Sequence, residues 1–229
     1  MKNYRLLFIL PLVLLTLGSC LKDDDYSGPE LPTVSLYNFY PKSTGVQYVI
    51  NGSPMTEYNP QYKGISLFFA IPGNKSMEIL DRQSAEVLID TSLTFADSVY
   101  YSCFVYGTTD HPEFFRVPDE GVDDLGTKAG VRFLHLGQGV GNVTLKIGDQ
   151  EVEGLTDREY ENAETVNLAK AFLPVSSGQS TVTVVNASGE TVAEVENLDL
   201  VQGRHYNFIL NGSANDTEYP LELSYSFYN

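Results

Sequence analysis

Tryptophan is missing from this chain, and cysteine and histidine are scarce: its 229 residues hold Trp 0, Cys 2 and His 3. Each shortage excludes something. Without indole rings, the flattest surface for stacking a sugar is not available. Two cysteines allow one disulfide at most. The three histidines, His111, His135 and His205, form no His-Glu-x-x-His pair, and no Gly-x-Ser-x-Gly elbow occurs. Zinc would need a third ligand that the sequence does not point to. Bases are few as well, 14 Lys+Arg against 30 Asp+Glu, for a net charge of −16. That balance opposes nucleic acid and anionic lipid headgroups as partners. Long apolar runs are absent but for Leu6 to Leu17, about a dozen residues where a spanning helix needs about 20. The expectation is a non-enzyme with no catalytic set, no resident metal and no cofactor.

What is present begins at the N-terminus. Lys2 and Arg5 precede the apolar run, which reads as the core of a secretory signal. Leu17-Gly18-Ser19-Cys20 follows and resembles a lipobox. The resemblance implies cleavage before Cys20 and acylation of that residue, and two or more acyl chains hold a protein stably on a bilayer. Leu21-Lys22-Asp23-Asp24-Asp25 is similar to the surface-export signal of Bacteroidota lipoproteins, with Lys22, Asp23, Asp24 and Asp25 as its residues. The same run also reads as a solvated tether. Residues 1–19 are thus expected to be the signal peptide and 20–32 a lipidated acidic tether, with Pro29 and Pro32 stiffening its end. The expected address is the outer membrane, lipid-anchored and displayed at the cell surface, with a periplasm-facing orientation as the alternative. Loss of Lys2 and Arg5 with the signal takes the charge from −16 to −18. Cys103 is then the one remaining thiol and reads as a small buried hydrophobe.

The chain is written twice. Val34-Ser35-Leu36-Tyr37-Asn38-Phe39 lies over Val131-Arg132-Phe133-Leu134-His135-Leu136, 97 residues on, and Val46 to Ile50 lies over Val143 to Ile147 at the same offset. Tyr101 to Gly107 lies over Tyr206 to Gly212 at an offset of 105, a drift that loop insertions would produce. Each copy reads as strands. Val46, Tyr48 and Ile50 alternate before Asn51-Gly52, a strong hairpin signal. Ile65 to Ala70, Met77 to Leu80, Glu86 to Ile89, Val99 to Tyr106 and Phe114 to Val117 complete copy one. Val182 to Val185, Thr191 to Val195, His205 to Leu210 and Leu221 to Phe227 belong to copy two. The best helical stretch, Glu159 to Lys170, is weak.

About seven short strands per copy, with turns every eight to twelve residues, is a sandwich signature. The expected fold is all-β: two tandem immunoglobulin-like antiparallel β-sandwich domains, repeat 1 over 33–118 and repeat 2 over 130–229. Residues 119–129, rich in acid and glycine, read as a linker. One larger sandwich fed by both halves is the alternative. At Gly130-Val131-Arg132-Phe133-Leu134-His135 the chain resembles the "domain of unknown function 4397" family, whose repeat opens on a Val-Arg-Phe-Val-His-type strand. The resemblance implies an immunoglobulin-like sandwich in a cell-envelope setting and no established activity. Asn38 replaces the histidine in copy one, so no histidine chemistry shared by both copies is implied.

Other candidates are weighed on their residues. His135 and His205 could approach each other in a sandwich, or simply sit satisfied near strand ends. Asp119, Glu120, Asp123 and Asp124 could offer oxygens to calcium, or form a solvated linker. Tyrosine and phenylalanine are in surplus, 15 and 12. Tyr37, Tyr58, Tyr62, Tyr100 and Tyr106 fall on polar faces or in loops, and the last four are candidate binding aromatics. Asp97-Ser98-Val99 resembles a Bacteroidota O-glycosylation site, with Ser98 as acceptor. The expected function is a non-catalytic surface lipoprotein whose repeats bind a partner protein or a glycan, or act as a spacer. The alternative is an adhesin-like subunit assembling by strand exchange, with Leu221 to Phe227 as donor strand.

Overall fold

Alternating apolar residues make the strands, and they do so twice in the same order. Repeat 1 contains β1 (Thr33–Asn38), β2 (Val46–Ile50), β3 (Ser53–Pro54), β4 (Ile65–Phe69), β5 (Gly73–Asp81), β6 (Val87–Phe95), β7 (Tyr100–Gly107) and β8 (Pro112–Pro118). Repeat 2 contains β9 (Lys128–His135), β10 (Val143–Ile147), β11 (Gln150–Glu151), β12 (Leu173–Ser176), β13 (Gly178–Asn186), β14 (Thr191–Leu200), β15 (His205–Asn211) and β16 (Glu222–Tyr228). This computed structural model describes residues 30–42, 44–55 and 59–228. Cys20, Lys22, Asp23, Asp24, Asp25 and Tyr58 lie outside the described residues. Among those described, no helix is long and apolar enough to cross a membrane.

The sheets are β4-β1-β7-β8 and β3-β2-β5-β6 in repeat 1, and β12-β9-β15-β16 and β11-β10-β13-β14 in repeat 2. The orders match strand for strand. Eight strands per repeat replace the expected seven or so: tight hairpins add the two-residue β3 and β11, and β12 is a further strand that the sequence reading did not place. At Asn51-Gly52 both residues have positive φ, 48° and 74°, as a type I′ turn requires. One pair in each repeat is parallel, β1 with β7 and β9 with β15. Val34 opposes Tyr101 there, and Val131 opposes Tyr206, the residues that the 97 and 105 offsets equate.

Finer details repeat too. The Ala96 amide donates to Tyr101 Oη at 3.1 Å and the Val201 amide to Tyr206 Oη at 2.9 Å, a corner that ties each strand's start to the turn before it. Gly107 ends β7 and Gly212 directly follows β15, at φ 103° and 85°. A Cβ there would meet the carbonyl oxygens of His111 at 2.2 Å and Pro220 at 2.1 Å, so only glycine fits.

Each sandwich has its own core. Val34, Leu36, Tyr48, Met77, Ile79 and Cys103 belong to the first, and Val131, Phe133, Leu145, Val184 and Phe208 to the second. Burial pushes the Cys103 thiol up, so it is an inert packing residue. A third core joins the two repeats, and the sequence did not announce it. Tyr37, Phe39, Phe104, Tyr106, Phe115 and Val117, on the outer face of the first repeat's sheet, pack with Leu134, Leu136 and Ile209 from the second. Val166 and Ala169 of the short 3-10 helix Thr165–Ala169 complete it, and this helix is all that forms of the helical stretch expected over Glu159 to Lys170.

Residues Leu31–Asn229 therefore form one compact unit. The 119–129 segment is not a freely solvated linker. The Glu120 amide donates to Lys170 O at 3.0 Å, the Phe172 amide to Glu120 O at 3.2 Å, and Leu125 is buried. Strand β9 begins within it, at Lys128.

Candidate functional site

Strand alternation sends Val131 and Phe133 into the second core and leaves Arg132 facing the first repeat. Arg132 is wholly buried and saturated with partners. Its Nε donates to Asn207 Oδ1 at 2.7 Å, its Nη1 to Asp119 Oδ1 at 2.7 Å, and its Nη2 to Ser102 Oγ at 3.1 Å. The guanidinium lies 4.6 Å from the Phe172 ring centre. Asn207 Nδ2 in turn donates to Tyr37 Oη at 2.9 Å. Ser102 and Asn207 hold equivalent places in the two repeats, so the copies have diverged into complementary partners of one arginine. The side-chain contacts of β1 with β15, Tyr37 to Asn207, and of β9 with β7, Arg132 to Ser102, exchange under the repeat equivalence, as in a twofold dimer.

Beside this seam lies an open pocket of about 360 Å³ lined by His135, Gly137, Gln138, Gly139, Gly141, Asn142 and Tyr160. His135 ends β9 and is buried. Burial lowers its pKa, so the imidazole is neutral at pH 7. Its Nε2 lies 2.8 Å from the Gly141 carbonyl oxygen and must donate to it, which leaves Nδ1 as an acceptor. That Nδ1 has no hydrogen-bond partner among the described residues.

Tyr160 Oη donates to Glu113 Oε1 at 2.8 Å and accepts from Gln138 Nε2 at 3.2 Å. Glu113 comes from β8 of the first repeat, so the pocket wall depends on the seam. Behind the wall, Tyr106 Oη donates to the Glu161 carbonyl at 3.0 Å, and Glu161 pairs with Arg158. Desolvation still raises the Glu161 pKa.

The residues singled out from sequence have different fates. Tyr106 is 2% exposed and belongs to the seam core, so it is not a surface binding aromatic. Tyr37 is buried there as well. Tyr62 donates to Asn211 Oδ1 at 3.1 Å across the seam, and burial pushes its pKa up to about 12. Tyr100 is 56% exposed. Ser98 is exposed in the turn before β7, at φ 58°.

His135 and His205 do not meet. Parallel pairing sets His205 opposite Gly130 and His135 opposite Leu210, at opposite ends of the strand pair. His205 Nε2 instead accepts from the Val122 amide at 2.9 Å, and His111 is exposed. Asp119 is spent on Arg132 and Ser102, and among the described residues no group of acids, histidines and cysteines could hold a metal ion. Strand β16 is seated in its own sheet, paired with β15 from His205↔Tyr228 to Asn211↔Glu222. Arg132 and Tyr160 are the site residues that sequence reasoning missed. The signal for Arg132 was a lone charge inside an otherwise apolar strand.

Fold and seam define a class: a double β-sandwich of duplicated repeats that share a buried polar interface. The family model for the domain of unknown function (DUF4397) matches residues 32–146, from β1 through most of β10, and the chain belongs to that family. No curated protein matches the chain. Among solved structures it is similar to a family 41 carbohydrate-binding module from streptococcal virulence factors, described for alpha-glucan recognition. That match has 10% identity, covers 83% of this chain and 95% of the other, and has a TM-score of 0.25. It is also similar to a family CBM26 module from Eubacterium rectale Amy13K, solved with maltoheptaose, at 8% identity, 86% and 96% coverage and a TM-score of 0.23. Likeness at this level carries no functional weight.

Proposed function

We propose that this protein is a non-catalytic, lipid-anchored module of the outer cell surface that binds a neutral, hydroxyl-rich ligand such as a glycan in the pocket beside its seam. The single observation that carries this reading is the donor and acceptor set around that pocket. Neutral His135, the amide side chains of Gln138 and Asn142 and the ring of Tyr160 line one preformed recess. Few precisely placed polar groups on a rigid wall are what small-ligand recognition needs. Nothing in the set resembles a nucleophile with its activating base. The acidic chain repels polyanions, which favours an uncharged ligand. The anchor at Cys20, export through Lys22 and Asp23 to Asp25, and O-glycosylation at Ser98 are parts of the same proposal.

A glycan array on the soluble mature chain, followed by calorimetric titration of any hit, tests it. Tyr160→Ala is expected to weaken binding about tenfold or more, a loss of roughly 1.4 kcal/mol. Binding unchanged in Tyr160→Ala and His135→Asn would overturn the site, and an array without hits would leave a spacer.

A further inference from the structure

The two repeats act as controls for each other, and they disagree at one surface. Strand β4 is an edge strand, and its Leu67 and Phe69 oppose Ser35 and Thr33 of β1, so they share the sheet's outer face. The Ala70 amide donates to Pro32 O at 2.8 Å, which carries the register on and sets Ile71 beside Leu31. Tyr100 opposes Thr33 from the other side. Leu31, Leu67, Phe69, Ile71 and Tyr100 thus make one stripe, each between 49% and 71% exposed. In repeat 2 the positions of Phe69 and Ile71 hold Pro174 and Ser176. There the place of Tyr100 is taken by His205, which the 119–125 segment covers through the Val122 amide. The fold therefore does not require an apolar stripe at this place.

We propose that the stripe of repeat 1 rests on the lipid leaflet in which the chain's own anchor sits. This rests on the reading of Cys20 as the acylated residue. Two facts favour a leaflet over other occupants. The chain enters the folded unit at Leu31, within the stripe, and the eleven residues from Cys20 to Glu30 reach about 38 Å at most when extended. The stripe thus includes the point where the tether joins the body, within that reach of the anchor. Local charge also suits a zwitterionic surface. Residues 58–77 carry no acid in a chain with 30, and Lys75 lines the groove beside Phe69 and Ile71. Aliphatic and aromatic side chains flanked by lysine are the composition of an interfacial contact. Strands β1 and β7 run from the stripe toward the recess that Gly107 shares with Leu136 and Gln138. A body seated this way holds the His135 pocket at its far end, roughly 20 Å away along the strands.

The absence of tryptophan makes the test direct. The full chain, processed and acylated, is prepared as Phe69→Trp, as Ile71→Trp and, for control, as Leu168→Trp, an exposed site on the 3-10 helix that packs on β8, the other edge of the sheet from β4. Each is reconstituted into zwitterionic vesicles with and without brominated acyl chains, and flotation reports anchoring separately. The expected result is flotation of all three, bromine quenching of the tryptophans at 69 and 71, and none at 168. Flotation with solvent-like, unquenched emission at 69 and 71 overturns docking while leaving the anchor intact. Blue-shifted emission that bromine does not quench overturns it in favour of a protein cover, a second copy included. A chain that fails to float overturns the anchor and the docking together.

Discussion

At the residue scale, Arg132 carries the most consequence. It is a buried charge whose cost is offset by Asp119, by the amide and hydroxyl around it, by the Ala169 carbonyl and by the Phe172 ring. Removing one partner leaves the other charge uncompensated. Arg132→Ala should destabilise the protein by about 3–5 kcal/mol, whereas Arg132→Met with Asp119→Ala should lose far less. Urea unfolding of both variants checks this, and equal losses would contradict the ion-pair account. Histidine supplies the pH dependence. Burial lowers the pKa values of His135 and His205 below the ordinary 6.5. Below that pH the unfolded chain binds more protons than the folded one, so stability is full above about 6.5 and falls as pH drops. Asp81, held down to about 2 first by the Ser84 amide and also by Lys42, adds a further loss as pH falls from the usual carboxylate range toward 2. Glu161 works in the opposite direction, since its raised pKa favours the folded state as it protonates. His135→Asn isolates the histidine, because Asn38 already fills the equivalent place in repeat 1. Its melting temperature should fall less between pH 7 and pH 5 than that of the unaltered protein. An unchanged slope would show that His135 does not titrate in this way.

At the scale of elements, the C-terminal strand decides between a closed module and a strand donor. Strand β16 pairs along its length with β15, and Ser226 bonds Tyr37 of the other repeat at 3.0 Å. Deleting residues after Tyr219 should therefore unfold repeat 2 and expose the seam, read as lost near-ultraviolet dichroism. A folded, assembly-defective product would instead favour strand exchange. The strands themselves were legible because the signal is local: alternation, the Asn51-Gly52 turn and the paired offsets placed all but β3, β11 and β12. What was not legible is the partner of each outer face. Tyr37 and Tyr106 alternate outward from the first core, and an outward tyrosine looks the same in sequence whether it meets solvent or another sheet. The linker misled for the same reason. Asp119 and Leu125 differ from solvated residues only through Arg132 and the strands they dock on, and those contacts are long-range.

At the scale of the whole molecule, the pocket is lined by repeat 2 and braced by repeat 1. Glu113 of repeat 1 fixes Tyr160 of repeat 2, and the seam core of Tyr37, Phe104, Leu134 and Ile209 excludes water between the sheets. Large apolar side chains contribute about 1.5–3 kcal/mol each when fully buried, so separating the repeats would expose more than either sandwich can spare. Repeat 1 produced alone, ending at Pro118, should accordingly aggregate or pair with itself through the same face, which sedimentation would reveal. The most direct measurement is calorimetric unfolding of the soluble mature chain. A single transition, with calorimetric and van't Hoff enthalpies in agreement, is the result that a shared seam predicts. Two separable transitions, or a repeat 2 transition unmoved by Glu113→Ala, would contradict it.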